Sequence, residues 1–408
     1  MIRKPFPNII NKDISILKNF PDTQFSLVCV ESNDFLNNTI IDYDIDYDKD
    51  IITVKYAKNY NTYPLLDEKI AAIINLGFVT GKNSINAKLM EERKIGATDL
   101  GIAVDNKENI LYLYGDSFSG NDVNIGIWNS NFIAKSSSRE FNKNIKFDDI
   151  IHYPSMLAKP IIQGGHFKND PDNILEKNNL EVTKIPTGGI RINDYVYIYI
   201  MSVSYWGLPG QWVIENNTIY KSKYNDLRNF EECEKGKFFK KTLQNCLQIF
   251  PFEKEGDEKY VYFISVGGGR FTNLALGRVE KKYIENSQKY EIFTKEKVYK
   301  NILKTEEKDY FYLVNKNKSS EPSIMYNKYL KKWIISTLEN GSIVFYLSEK
   351  LEEEFKERIE VLNFKDFPTL YGGFLNNSLV EDNGKTIYFQ VSQWSPIYNT
   401  SLFKVIFK

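Results

Sequence analysis

Short apolar runs separated by polar turns recur along most of this chain. Ile110-Leu111-Tyr112-Leu113-Tyr114, Tyr195 to Ile200, Tyr260 to Ile264, Trp333-Ile334-Ile335 and Ile387 to Val391 are rich in β-branched and aromatic residues, which suit a pleated surface. A polar turn precedes each run: Asn106 to Asn109, Asn193-Asp194, Glu255 to Glu258, Asn327-Lys328 and Asp382 to Gly384. Before each turn lies a strand with glycine or small residues (97–104, 187–192, 247–252, 321–326, 371–376). After each run comes a variable loop and then a further strand (128–136, 218–222, 274–279, 343–348, 401–407). Copies of an inner, middle and outer strand at intervals of roughly 55 to 85 residues are the mark of radial repetition. The pattern predicts an all-β fold, a five-bladed β-propeller over residues 91–408, whose inner strands converge on one channel.

Residues 1–90 fall outside the repeat and read as a small α+β extension. They hold a hairpin, 39–56, and a helical pattern over 63–76 stopped by Gly77; a second short helical pattern covers 351–359. Asp42, Asp44, Asp46, Asp48 and Asp50 alternate suggestively. Without Gly at the sixth loop position or Glu at the twelfth they fail the EF-hand pattern, and alternation with Tyr43, Ile45 and Tyr47 reads as a half-solvated strand. The 408 residues carry 53 Lys+Arg against 53 Asp+Glu, a balance that argues against nucleic acid as the main partner. Cys29, Cys233 and Cys246 lack C-x-x-C spacing and read as free thiols. Pro5, Pro7, Asn8 and Asn11 interrupt the N-terminus, so no signal peptide is visible, and no run approaches the ~18 apolar residues of a membrane span.

Candidate chemistry concentrates in the first repeat. If the hairpin there folds symmetrically about Asn106 to Asn109, Asp99 falls opposite Asp116. Two carboxylates across a hairpin repel each other and cost stability. They also titrate as a coupled pair, the condition for an acid and a base to coexist; the structural alternative is a pair splayed toward other partners or a cation. Glu321 opens the fourth inner strand and supplies a third carboxylate facing the channel. Arg270 follows Gly267-Gly268-Gly269, where backbone and guanidinium can approach a ligand or close an ion pair between blades. Trp206, Trp212 and Trp394 lie in loops after middle strands, placed to stack on sugar faces or to pack between blades. Gly77 to Asn83 has the wrong spacing for a phosphate loop. Gly115-Asp116-Ser117-Phe118 resembles the nucleophile block of GDSL-type esterases, and Asp149-x-x-His152 offers the partner motif, although strands dominate where those enzymes alternate strands with helices. With His152 and His166 the only histidines, a multi-His metal site is excluded.

Several segments together match a known family. They are Thr98-Asp99, Tyr114 to Phe118, Trp128 to Asn131, Pro186 to Gly189, Gly207-x-x-Gly210-Gln211-Trp212, Gly268 to Phe271, Glu321-Pro322-Ser323-x-x-Tyr326-Asn327, Tyr371 to Phe374, and Ser392-x-Trp394 with Tyr398-Asn399. On them, the chain from Gly96 onward resembles the domain of unknown function 4185 family, which includes the endo-D-arabinanases of glycoside hydrolase family 183. The resemblance implies a five-bladed propeller, Asp99 and Asp116 as catalytic aspartates, and Trp128, Asn131 and Tyr371 beside Arg270, Trp206, Trp212 and Trp394 as sugar contacts. It also implies an exported enzyme acting on mycobacterial arabinan, whereas this chain shows no signal sequence and adds about ninety unmatched residues. The expected function is a glycosidase acting on furanosidic glycans, D-arabinan foremost, with Asp99, Asp116 and Glu321 as its carboxylates. Close apposition of the aspartates favours retention, and pairing either with Glu321 favours inversion. The alternatives are a non-catalytic glycan-binding propeller and an esterase using Ser117. The expected partner is an oligo- or polysaccharide; no cofactor is required, and a structural or channel cation such as calcium is compatible with the carboxylates.

Overall fold

The computed structural model describes residues 67–408, apart from 167–179, 209, 240–242, 244, 365–366 and 396, together with the backbone of three strands between residues 26 and 58. Five antiparallel sheets form a five-bladed propeller. Blade 1 runs from inner to outer through Leu100–Asp105, Ile110–Tyr114, Phe132–Ser136 and Asp149–Ile150. Blade 2 is Thr183–Ile192, Tyr195–Tyr205, Val213–Lys223 and Glu231–Phe239. In blade 3, Gln248–Phe252, Tyr260–Val266 and Thr272–Glu280 are followed by outer strands Glu291–Phe293 and Tyr312–Ser319, which both pair with the third strand. Blade 4 is Ser323–Asn327, Lys332–Glu339, Ser342–Ser348 and Glu357–Asn363. Blade 5 is Leu370–Phe374, Thr386–Gln393 and Asn399–Phe407, completed by Ile70–Phe78.

Each inner strand touches the next around the ring, and the fifth touches the first, so the ring is closed. Tyr112, Tyr197, Tyr262, Trp333 and Tyr388 all sit on second strands. These strands are buried on both faces because blades stack on each other, which is why Ile110–Tyr114 and Thr386–Gln393 are buried throughout. One apolar cluster runs through all five blades. Polar seams cross it: Gln390 of blade 5 accepts from the Tyr114 hydroxyl at 2.9 Å and donates to the Gly101 carbonyl at 3.1 Å.

Two helices expected from periodicity are absent. Ile70–Phe78 is a strand pairing antiparallel with Asn399–Phe407, so the N-terminal side of the chain closes the last blade and enters the propeller ahead of residue 91. Its Ile70, Ala72 and Ile73 are buried where it joins blade 5; an open sheet edge outweighed a weak helical propensity. Likewise Glu357–Asn363 is the outer strand of blade 4, while Leu351 and Phe355 anchor the preceding turns. A six-residue helix, Ala87–Glu92, went unforeseen. The hairpin expected at 39–56 is present as Asn38–Asp46 paired with Ile51–Lys58. Cys233 and Cys246 are buried free thiols, and Cys29 lies outside the described residues. No helix among the described residues is long and apolar enough to cross a membrane.

Candidate active site

Asp99, Asp116 and Glu321 line one cavity of about 740 Å³ at the end of the propeller from which the inner strands start. Trp128, Trp206, Trp212, Arg270, Tyr371 and Trp394 line it too. Asn131 does not. Its amide donates to the carbonyls of Ile162 and Lys184 and accepts from Ile161 N, so it ties blade 1 to blade 2 rather than facing a ligand.

The two aspartates are not directly opposite. Leu100 pairs with Tyr114 but Ile102 with Leu113, so a β-bulge shifts the register by one at Gly101. Leu100 and Gly101 both take positive φ, 76° and 83°, a conformation easy for glycine and strained for leucine. The Asp99 carbonyl therefore accepts from Gly115 N at 3.2 Å, and Asp116 lies one residue beyond. A Cβ on Gly115 would lie 2.4 Å from Asp99 Oδ1, so glycine leaves the space that this carboxyl occupies.

The bulge gives the carboxyls different surroundings. Asp99 is buried; its Oδ2 accepts from the Tyr371 hydroxyl at 2.7 Å and its Oδ1 has no partner. Burial pushes its pKa from 3.8 up to about 7, opposed by the Tyr371 hydrogen bond and assisted by the Asp116 charge. Asp116 is partly exposed, and its Oδ1 accepts from Trp128 Nε1 at 2.9 Å and from Thr183 Oγ1 at 2.6 Å. Burial raises it too, to about 6, opposed by Thr183 and then Trp128, which favour the ionised form.

Glu321 enters blade 4 with φ of 49° and pairs with Arg270, Nη2 to Oε1 at 3.2 Å. The guanidinium lies over the rings of Trp212 at 5.0 Å and Tyr371 at 5.5 Å. Gln248 fixes both partners: its amide donates to the carbonyls of Gly267 and Gly269, and its oxygen accepts from Glu321 N at 3.0 Å. Glu321 Oε2, an acceptor, and Arg270 Nε and Trp212 Nε1, both donors, stay buried without partners, which suits a site that exchanges hydrogen bonds with a polyhydroxylated ligand. Thr183, Gln248 and Tyr398 were missed as site residues by sequence reasoning. Thr183 and Gln248 carry no motif, and only the third dimension brings them in; Tyr398 sits in a matched segment, and its contact with Asp99 was the missing signal.

Ser117 is fully buried, and its hydroxyl meets Thr98 Oγ1 and the Gly115 carbonyl, each at 2.8 Å. His152 instead faces its neighbour, Nδ1 at 2.7 Å from the Tyr153 carbonyl, so no nucleophile–base contact of an esterase forms. Among the described residues no group of three or more His, Cys, Asp or Glu side chains is arranged to hold a metal ion.

Structures resembling this one include a "putative hydrolase" from Bacteroides ovatus ATCC 8483, with a TM-score of 0.55 and 10% identity over 82% of this chain and 90% of that chain. An exo-β-1,3-galactanase from Phanerochaete chrysosporium gives 0.44 and 10% over 81% and 63%. The α-L-arabinofuranosidase of Podospora anserina gives 0.41 and 7% over 81% and 95%. At such identities the first of these speaks for the fold alone. No curated protein sequence matches the chain. The family model described as "Domain of unknown function (DUF4185)" matches residues 84–404, which is four blades entire and the fifth without its strand Ile70–Phe78 and the last residues of Asn399–Phe407, and the chain belongs to that family.

Proposed function

We propose that this protein is a glycoside hydrolase acting on furanosidic glycans, with D-arabinan the foremost substrate. The observation that carries the reading is the pair Asp99 and Asp116, brought into one aromatic-lined cavity with different partners, Tyr371 on the first and Trp128 and Thr183 on the second, and both pushed above the usual carboxylate range by burial. Burial and the Asp116 charge favour a proton on Asp99, and the two donors on Asp116 favour its ionised form, the division of labour that glycoside hydrolysis requires. Asp99 is the general acid. Its carboxyl, which lines the cavity and is held by Tyr371, delivers the proton to the glycosidic oxygen as the bond to the anomeric carbon breaks. Asp116, with Oδ1 held by Trp128 and Thr183, attacks the anomeric carbon or takes the proton of an attacking water through Oδ2. Glu321 and Arg270 form a fixed ion pair whose free Oε2 and Nε orient sugar hydroxyls. Trp206, Trp212 and Trp394 offer ring faces for stacking. The resemblance to endo-D-arabinanases supports arabinan as the first substrate to try.

The test is release of reducing ends from D-arabinan and from a panel of other furanosides by wild type, Asp99→Asn and Asp116→Asn. Cleavage by wild type and loss of orders of magnitude in kcat in both variants supports the reading. Binding of sugar with no cleavage of any substrate would replace it with a glycan-binding propeller.

A further inference from the structure

The cavity lining is chemically mixed. Asp99, Tyr371, Glu321 and Arg270, from blades 1, 5, 4 and 3, make its charged part. The lining also carries an aliphatic stretch, Val123 from the loop after the second strand of blade 1 and Val182, Ile185, Met201 and Leu208 from blade 2, interspersed with Trp128, Trp206 and Trp212. Val182, Ile185 and Met201 are buried, whereas Val123 and Leu208 stand 37% and 67% exposed at the mouth, where Ile125 and Ile127 of the same blade 1 loop are also in solvent. Single exposed aliphatic residues are ordinary on any protein surface. Here they continue the buried Val182, Ile185 and Met201 of the cavity that holds the carboxylates. A pentose needs ring faces for stacking and hydrogen-bond partners for its hydroxyls, and valine, isoleucine, methionine and leucine side chains supply neither. The threonines beside this stretch are already engaged: Thr183 donates to Asp116, and Thr187 to the Ile249 carbonyl at 2.9 Å. A volume of about 740 Å³ is in the range that encloses a drug-sized molecule, more than one ring requires.

We propose that the glycan this site takes carries an alkyl or acyl substituent, which lies along Val123, Val182, Met201 and Leu208 while a furanose ring sits at Asp99 and Asp116. This assignment deepens the hydrolase reading and rests on it for the identity of the ring. The chain's own Asp99→Asn variant, in which turnover is silenced, allows binding to be measured by calorimetry with methyl, butyl and octyl D-arabinofuranosides. A fully buried methylene tightens binding roughly three- to fourfold, so a substituent only partly enclosed should still give about tenfold from methyl to butyl. Leu208→Asp in the same background should bring the butyl-to-methyl ratio close to one. Leu208 is mostly exposed, so that variant should melt within about 1 °C of its parent. Equal affinities for methyl and butyl glycosides, with wild type cleaving unsubstituted D-arabinan, would overturn the substituent site and leave the hydrolase standing. A gradient that survives Leu208→Asp would also overturn it. A gradient abolished by Leu208→Asp, with no furanoside cleaved by wild type, would support the apolar seat and sink the hydrolase.

Discussion

Replacing Asp99 by asparagine should change how stability depends on pH, and the size of the change follows from the environment of that carboxyl. In the unfolded chain the group titrates at its ordinary 3.8; in the fold, burial raises it to about 7. The folded protein therefore holds this proton more tightly than the unfolded one. The stability it contributes is fully present below 3.8 and is lost progressively as pH rises through 7. The whole gap is about 4 kcal/mol, of which about 3 kcal/mol falls between pH 5 and pH 8. Asparagine does not titrate, so Asp99→Asn should be free of that loss. Its amide nitrogen meets no acceptor where Oδ1 now lies, a cost of about 1–3 kcal/mol, but one that is the same at both pH values and cancels from the comparison. Urea unfolding of both proteins at pH 5 and pH 8 measures the difference of differences. Wild type should lose about 3 kcal/mol more than the variant over that interval, equivalent to a Tm difference on the order of 5 °C. Parallel pH dependence in the two proteins would mean that Asp99 is ionised in the fold at pH 5, and the assignment of the general acid would fall with it.

The same geometry sets further outcomes. kcat/KM should follow a narrow bell, falling below about 6 as Asp116 takes up a proton and above about 7 as Asp99 loses its own; the two limbs belong to the coupled pair, and a profile flat from pH 5 to 9 would count against it. Trp128→Phe removes one donor that favours ionised Asp116, so the acidic limb should move upward in pH, whereas Tyr371→Phe removes the donor on Asp99 and should move the basic limb upward. Arg270→Met strips the partner from the nearly buried Glu321 and should cost about 3–5 kcal/mol in chemical denaturation, with Arg270→Met/Glu321→Gln recovering most of it. Removal of residues 1–80 deletes the strand that pairs with Asn399–Phe407 and should abolish cooperative unfolding followed by circular dichroism, whereas removal of residues 1–60 leaves that strand intact and should not.

The repeat was legible because a propeller blade imposes the same demand five times. Each middle strand is covered on both faces, so Ile110–Tyr114 and Thr386–Gln393 read as β-rich apolar runs wherever they occur, and the turn before each run sets the phase. What failed was local pattern at the margins of that demand. Residues 70–78 carry apolar positions compatible with helix or strand, and only the open edge of Asn399–Phe407, more than three hundred residues away, selects between them. The site shows the same division. Asp99, Asp116 and Glu321 could be proposed from strand phase, since the start of every inner strand faces one end of the channel. Their chemistry could not, because it depends on a bulge at Gly101 that a symmetric hairpin does not foresee. That one extra residue separates the carboxyls, buries Asp99 against Tyr371 and leaves Asp116 to Trp128 and Thr183. With strict pairing, two carboxylates directly across a hairpin would share one environment, and repulsion alone would decide which held the proton. The bulge replaces that near-degeneracy with two different sets of donors, and Leu100 at φ 76° is the strained residue through which the backbone reaches that arrangement.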